Sequence, residues 1–182
     1  IVDVSTSPYT ITLPSASIEL IVGDITRIPV DAMVNAANSA LAGGGGIDGA
    51  IHRAGGPTLM GELDKIRASS GHCPTGQAVV TGAGRLPARF VFHAVGPIYR
   101  GGSHGEAELL QSCYTVCLDL AAKNGVKTIS FPSISTGVYG YPIGEAAEIA
   151  LRTVHSWLLA NTGSVTTVKL VQFSEPDHMA YR

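Results

Sequence analysis

Two short stretches of this chain carry residue types able to grip an anion and act on it. The first runs from Asn35 to Asp48 and holds four consecutive glycines, Gly43 to Gly46, just before a helical pattern with apolar Ile47 and Ile51. Backbone free of Cβ atoms lets N–H groups crowd around an anion or a sugar, and the helix start adds partial positive charge. A flexible connector does not sit between two well-patterned elements of one domain. The second stretch runs from Pro132 to Pro142, with hydroxyls on Ser133, Ser135 and Thr136 and curled backbone permitted by Gly137 and Gly140. Its N–H groups and hydroxyls can converge on a diphosphate, although taken alone it is equally an ordinary polar turn. Two such loops at neighbouring strand ends point to a nucleotide diphosphate or a similar ligand.

Among the acids, Asp48 has two readings. It is a first-turn aspartate that complements a helix dipole, or a carboxylate beside a bound phosphate that orients or deprotonates a water. Asn38 holds a ligand hydroxyl or caps its own turn. Asp24, in Gly23-Asp24-Ile25-Thr26, is a ligand acid at a strand end or the N-cap of a short turn at 25–28, and the two are not separable by residue type. Residues 44–49 match G-x-G-x-x-G literally through Gly44, Gly46 and Gly49, which raises a dinucleotide-binding oxidoreductase. The first glycine lies too far beyond its strand, and no second strand ending in an acid follows about 20 residues on. No Gly-Lys-Ser/Thr occurs. Cys113 and Cys117 read as core thiols because no second Cys or His pair lies near enough for zinc. His72-Cys73 reads as a structural loop rather than a thiol nucleophile, His93 as a satisfied core histidine, and Trp157 as core.

These loops need a scaffold, and the rest of the sequence describes one. Apolar, β-rich runs at 18–22, 32–36, 77–81, 89–95, 128–132 and 166–173 predict strands. Helical spacing predicts helices at 47–55, 57–69, 105–124 and 142–161, the third with an apolar stripe of Leu109, Cys113, Val116, Leu120 and Ala121. The fourth begins with Pro142 in its first turn. A mainly βαβα order predicts one α/β domain over 1–182, a mostly parallel sheet with helices on both faces and its ligand crevice outside the carboxyl ends of the strands. The composition agrees, with 45% hydrophobic residues, 14% charged residues and a net charge of −2. That balance excludes a disordered tail protein and a global field drawing the chain to nucleic acid or anionic lipid. No apolar run reaches membrane-helix length, residues 1–10 lack a basic leader, and three cysteines form no disulfide framework; the expectation is a cytoplasmic monomer without membrane contact. Eighteen of the 22 glycines fall in 43–56, 71–84, 96–105 and 133–144. The first and last clusters are the two loops, and ordinary turns suffice for the middle two.

The residues also match a known family. Asn35-Ala36-Ala37-Asn38 followed by Gly43 through His52 closely resembles the signature of MacroD-type macrodomains. The likeness continues in Gly23 to Thr26, Cys73 to Ala78, His93 to Pro97 and Ser133 to Pro142. It implies a three-layer α/β/α sandwich with a mixed, mainly parallel sheet that binds ADP-ribose without metal or cofactor. Carried over by position, Asp24 would accept from the adenine amino group beside Ile25, with Phe173 flanking the base. Ser133, Ile134, Ser135, Thr136, Gly137, Val138 and Tyr139 would wrap the diphosphate, Tyr139 lying against the distal ribose. Gly43, Gly44, Gly45 and Gly46 would pack along that ribose and the phosphate, with Asn35 and Ile47 of the same motif in the ligand-binding set. Asn38 and Asp48 match the two positions used in hydrolysis. The implied reaction removes mono-ADP-ribose from acidic side chains of modified proteins and the acetyl group from O-acetyl-ADP-ribose. A non-catalytic reader of ADP-ribosylated proteins is the alternative; readers can lose the Asn38 and Asp48 side chains that this chain keeps.

Overall fold

The computed structural model describes residues 9–181, so the reading of the first eight residues lies outside it. In chain order the strands are β1 (Tyr9–Thr12), β2 (Ser17–Val22), β3 (Ala32–Ala37), β4 (Ala78–Gly82), β5 (Phe90–Val95), β6 (Thr128–Phe131) and β7 (Thr167–Gln172). The helices are α1 (Gly46–Gly55), α2 (Thr58–Ser70), α3 (Glu106–Lys123), α4 (Ile143–Ala160) and α5 (Glu175–Tyr181), with a 3-10 turn at Ile25–Arg27. One seven-stranded sheet forms in the order β1-β2-β7-β6-β3-β5-β4. Its five inner strands are parallel, and β1 and β4 close the edges antiparallel to their neighbours.

Strand periodicity sorts the side chains into two layers. One face of β2, β3, β5, β6 and β7 gives Ile18, Val34, Phe92, Phe131 and Leu170 to a core closed by α3, α4 and Tyr181 of α5. The other face packs Met33, Val91 and Val171 against Ile51 of α1 and Leu59 of α2. Beyond them lies a smaller cluster of Ala37, Leu41, Leu63, Cys73 and Val95. Asn35 and His93 sit between these two clusters, two residues on from Met33 and Val91, and both are fully buried. Among the described residues no helix is long and apolar enough to cross a membrane.

The sheet splits where the ligand crevice was expected. β3 and β6 register only through Ala32 with Ile129 and Met33 with Ser130. Beyond that, β3 follows β5 as far as Ala37 opposite Val95, while β6 follows β7 to Phe131 opposite Leu170. Chain connections leave the two strands in opposite directions, which opens a crevice at their carboxyl ends.

Several elements differ from the sequence reading. β1 and α5 were not anticipated: β1 is a four-residue, mostly exposed edge strand, and α5 a seven-residue helix containing Pro176. The buried stripe of α3 is Leu110, Cys113, Tyr114, Cys117, Leu118 and Ala121, turned from the expected one; Leu109, Val116 and Leu120 are only partly buried. Apolar residues on several sides of this helix leave periodicity without a unique face. Pro142 stands outside α4 as its cap, and its carbonyl receives Ala146 N–H at 2.9 Å.

The 96–105 segment is organised by one acid. Glu106 is buried, and its carboxylate accepts the N–H groups of Arg100 at 2.8 Å, Gly102 at 2.9 Å and His104 at 2.6 Å. These donors, Arg100 foremost, pull its pKa from 4.5 down to about 2. A carboxyl depressed in the folded state stabilises the fold above its unfolded value, and that contribution drains as pH falls from 4.5 towards 2. Glu106→Gln should therefore lower the melting temperature at neutral pH and flatten its decline across that acid window. A thermal unfolding series in which the variant tracks wild type throughout contradicts this account.

Candidate functional site

The crevice between β3 and β6 is a cleft of about 320 Å³. Asn38, Gly44, Gly45, Gly46, Ile47 and Asp48 line one wall, and Ser133, Ile134, Ser135, Gly137, Val138 and Tyr139 the other, with Gly96 and the end of β3 also contributing. Both loops picked out by sequence therefore meet across one space. A larger hollow of about 840 Å³ between α3 and α4 is lined by Glu108, Glu145 and Glu148 with Arg152 among others. Three acids to one base suit an anion poorly, so the smaller cleft is the candidate site.

Asp48 stands in the first turn of α1 and is 6% exposed. Its Oδ1 accepts Asn35 Nδ2–H at 2.8 Å, and His52 Nε2 lies 3.3 Å from the same oxygen, out of line for a hydrogen bond. Oδ2 is the oxygen nearest Gly44, 3.7 Å from where a Cβ there would stand. One carboxylate oxygen is thus tied inward while the other faces the glycine wall. The Asn38 side chain is committed to its own loop: Nδ2 donates to Gly43 O at 2.8 Å and Oδ1 accepts Ala42 N–H at 3.1 Å. The loop is braced from outside as well, because Cys73 N–H donates to Ser39 O at 2.8 Å and the Arg67 guanidinium donates to Leu41 O.

Backbone strain marks both walls. Among the described residues the only non-glycine positions with positive φ are Leu41 at 56° and Ser135 at 68°, one in each loop. Ser135 is held there by Tyr141 N–H, which donates to its carbonyl at 2.9 Å. Ser133 Oγ receives Thr136 Oγ1–H and Tyr181 O–H, each at 2.9 Å, leaving its own proton to donate outward. Val138 stands fully exposed at the rim.

Several expected ligand residues lie outside the cleft lining: Asn35 is buried beneath Asp48, and Gly43 and Thr136 turn into their loops. Asp24, Ile25 and Phe173 sit further along the strand ends. Gly23 N–H donates to Gln172 O at 3.0 Å, so Asp24 leaves β2 beside Phe173, which follows β7 and is 78% exposed. Asp24 caps the 3-10 turn through Oδ1, which accepts Thr26 Oγ1–H at 2.7 Å and N–H at 3.0 Å, while Arg27 stands 3.7 Å from Oδ2. The Thr26 hydroxyl, first among these contacts, pulls its pKa below the usual 3.8. Ile25 is buried below it. Along the sheet, Asp24, Phe173, the Ser133 loop and the glycine loop follow in the order β2-β7-β6-β3, a span of about 14 Å at ordinary strand spacing.

His52 and Tyr181 escaped the sequence reading. Asp48 and His52 are spaced one helical turn apart, which was legible; Tyr181 reaches Ser133 over 48 residues from a helix with no sequence signal. Burial pushes the Cys73 thiol up and Cys113 up to about 12, which suits structural rather than nucleophilic roles. Among the described residues no group of three His, Cys, Asp or Glu side chains is placed to hold a metal ion.

A mainly parallel sheet between two helical layers, split at a switch point and walled by two strained loops, defines an α/β/α sandwich of the macrodomain type. A Macro domain family model matches residues 34–150. A macro domain-containing protein of Caldanaerobacter subterraneus is 56% identical over 164 residues, 90% of this chain and 93% of its own. The O-acetyl-ADP-ribose deacetylase of Salmonella newport is 56% identical over 144 residues, 79% and 80% of the two chains. Among solved structures, the Oceanobacillus iheyensis macrodomain with ADP has a TM-score of 0.91 at 45% identity, covering 94% of this chain and 91% of that one. The Trypanosoma brucei macrodomain in complex with ADP-ribose has a TM-score of 0.82 at 41% identity over 90% and 67%. The chain belongs to the Macro domain family.

Gly96 couples the wall formed by Ser133 to Tyr139 to the Glu106-organised segment, so the third glycine cluster serves the cleft instead of only making turns. A Cβ at this position would lie 2.2 Å from Ser135 Oγ and 2.6 Å from Ile134 Cγ2. Gly96→Ala should destabilise the fold by about 1–3 kcal/mol through overpacking. Its amide resonance changes should concentrate at 133–141; an unmoved melting temperature with unmoved resonances there would refute the contact.

Proposed function

We propose that the chain binds ADP-ribose in this cleft and hydrolyses an acyl group from the distal ribose. The substrates are mono-ADP-ribose linked to acidic side chains of modified proteins and O-acetyl-ADP-ribose. The observation that carries this reading is the Asp48 carboxylate at the end of the cleft, with Oδ1 fixed by Asn35 and Oδ2 turned to the glycine wall. Relatives named for ADP-ribose complexes and for O-acetyl-ADP-ribose deacetylation support it. Ser133, Ser135 and the N–H groups of Ile134 to Tyr139 bind the diphosphate as neutral donors, and Gly44 to Ile47 close over the ribose. A water held between Asp48 Oδ2 and a phosphate oxygen attacks; the bond from acyl group to ribose breaks, giving free ADP-ribose and a carboxylic acid. Positioning and activation of that water supply the rate. Asn38 keeps the glycine wall in shape and offers its remaining N–H to a ribose hydroxyl.

Asp48→Ala should slow ADP-ribose release from a protein mono-ADP-ribosylated on Glu or Asp by about 10²–10⁴-fold. Asn38→Ala should impair both release and binding. Because the Asn38 side chain is tied to its own loop, a binding-only reader is the second reading. Calorimetry showing tight ADP-ribose binding by a wild type that releases nothing from either substrate would select the reader.

At the adenine end, Asp24 Oδ2 accepts the adenine amino group, with Ile25 beneath and Phe173 beside the base. Asp24→Ala should cost about 1.5–3 kcal/mol of ADP-ribose affinity, the worth of a hydrogen bond to a charged group. Unchanged affinity by titration calorimetry would remove Asp24 from the site.

A further inference from the structure

Behind Asp48 runs a buried polar chain that the proposed reaction has not used. Asn35 Nδ2 lies 3.1 Å from His93 Nδ1, His93 Nε2 lies 2.9 Å from Thr81 Oγ1, and Thr81 Oγ1 donates to Gly82 O at 2.8 Å. Gly82 N–H is itself held by Glu62 Oε1 at 3.1 Å. Asn35 and His93 are fully buried, and Thr81 is 3% exposed. The three come from adjacent strands, β3, β5 and β4.

The two ends of this chain fix every proton in it. A carbonyl only accepts, so the single Thr81 hydroxyl proton goes to Gly82 O. Thr81 Oγ1 must then accept, which places the His93 proton on Nε2 and leaves Nδ1 with a lone pair. Nδ1 therefore accepts one Asn35 N–H, and the other N–H reaches Asp48 Oδ1. A carboxylate oxygen is an acceptor, so the amide orientation required by Asp48 is the one required by His93. A second proton on His93 would set an N–H against the Asn35 amide and break the sequence. Burial, and then the neighbouring His52, hold the ring neutral by pushing its pKa from 6.5 down to about 3.

We propose that His93 and Thr81 are positioning residues for Asp48: acting through Asn35, they fix which carboxylate oxygen is tied inward and which meets the attacking water. The inference rests on the reading of Asp48 as the group that orients that water. Removing the Thr81 hydroxyl leaves the His93 Nε2–H without an acceptor. The ring then gains by moving its proton to Nδ1, the Asn35 amide turns its oxygen towards the ring, and Asp48 loses its inward donor. Substrate contacts in the cleft stay as they are, because neither His93 nor Thr81 lines it.

The test compares wild type, Thr81→Val and Thr81→Ser with O-acetyl-ADP-ribose as substrate, free ADP-ribose as binding probe, and nitrogen NMR of the His93 ring. Outer partners that orient metal-bound ligands cost about 10–100-fold in activity when lost, and a loss of the same order is expected for a partner that orients a carboxylate. Thr81→Val should lose that much kcat with KM and ADP-ribose affinity within about twofold of wild type, and Thr81→Ser should restore most of it. The wild-type ring should carry its proton on Nε2. A wild-type ring protonated on Nδ1, a wild-type kcat in Thr81→Val, a loss that serine does not rescue, or an equal loss of ADP-ribose affinity overturns the inference. Should Thr81→Val fail to fold, the wild-type tautomer and the Thr81→Ser kinetics decide. Failure of the underlying reading shows in wild type alone, as ADP-ribose binding without acetate release, and takes the positioning role with it.

Discussion

The hydrogen bond from Asn35 to Asp48 crosses from the sheet to a helix inside an interface that is otherwise apolar, and much of the site depends on it. An amide, an imidazole and a carboxylate removed from water each cost several kcal/mol unless paired. Asn35 donates both ways, to Asp48 on one side and to His93 on the other, and the His93 and Thr81 protons lead on to Gly82 O, so the band splits the core on this face with its donors paired. One acceptor of the band, Asn35 Oδ1, is buried without a protein partner. That cost buys a fixed rotation of α1 about its axis. With Asp48 pinned, the start of α1 is pinned, and so is the end of the glycine loop that feeds it.

The loop is then constrained from both sides. Asn38 staples it at Ala42 and Gly43, Leu41 is forced to positive φ with its carbonyl capped by Arg67, and Gly49 lets the loop close on the helix. A Cβ at Gly49 would stand 2.7 Å from Gly44 O. This explains the literal G-x-G-x-x-G match without a dinucleotide fold: Gly49 serves the contact between loop and helix, and Gly46, at φ 58°, the turn into α1. The same residue types meet a different geometric need because the sheet splits beside this loop rather than feeding a tight turn after the first strand.

How much was legible in the sequence followed from how local each cause was. β-Branched runs and glycine clusters act within a few residues, so the inner strands, the two loops and Asp48 in the first turn of α1 could be placed from the chain alone. β1 and α5 are short, and both hold to the sheet through distant partners. The stripe of α3 was read turned about the helix, sharing only Cys113 and Ala121 with the buried face, because periodicity sets a period and not a phase when apolar residues surround the helix. His93 illustrates the limit most clearly. Its apolar strand context identified a satisfied core histidine, which it is; that its partners lead to Asp48 depends on three strands meeting, and no spacing in the chain carries that. The strained φ of Ser135 and the Tyr181 contact to Ser133 are likewise products of packing.

The charge arrangement raises one further point about the proposed reaction. The cleft lining contains no lysine or arginine, yet in that reading it holds a diphosphate next to an aspartate. Two anions in contact repel unless something of opposite sign lies close, and here fixed dipoles have to supply it. The start of α1 directs partial positive charge at the cleft, and Asp48 in that same first turn draws on it too. Ser133, with its lone pairs filled by Thr136 and Tyr181, adds a donor whose direction is set before a ligand arrives. Dipoles held by the fold need no reorganisation when charge develops, and they cannot collapse onto Asp48 as a mobile lysine could by forming an ion pair. A basic residue in the wall would bind the diphosphate more tightly while neutralising the one carboxylate the reaction needs. Glycine-rich backbone, Gly44 to Gly46 in one wall and Gly137 in the other, avoids that conflict.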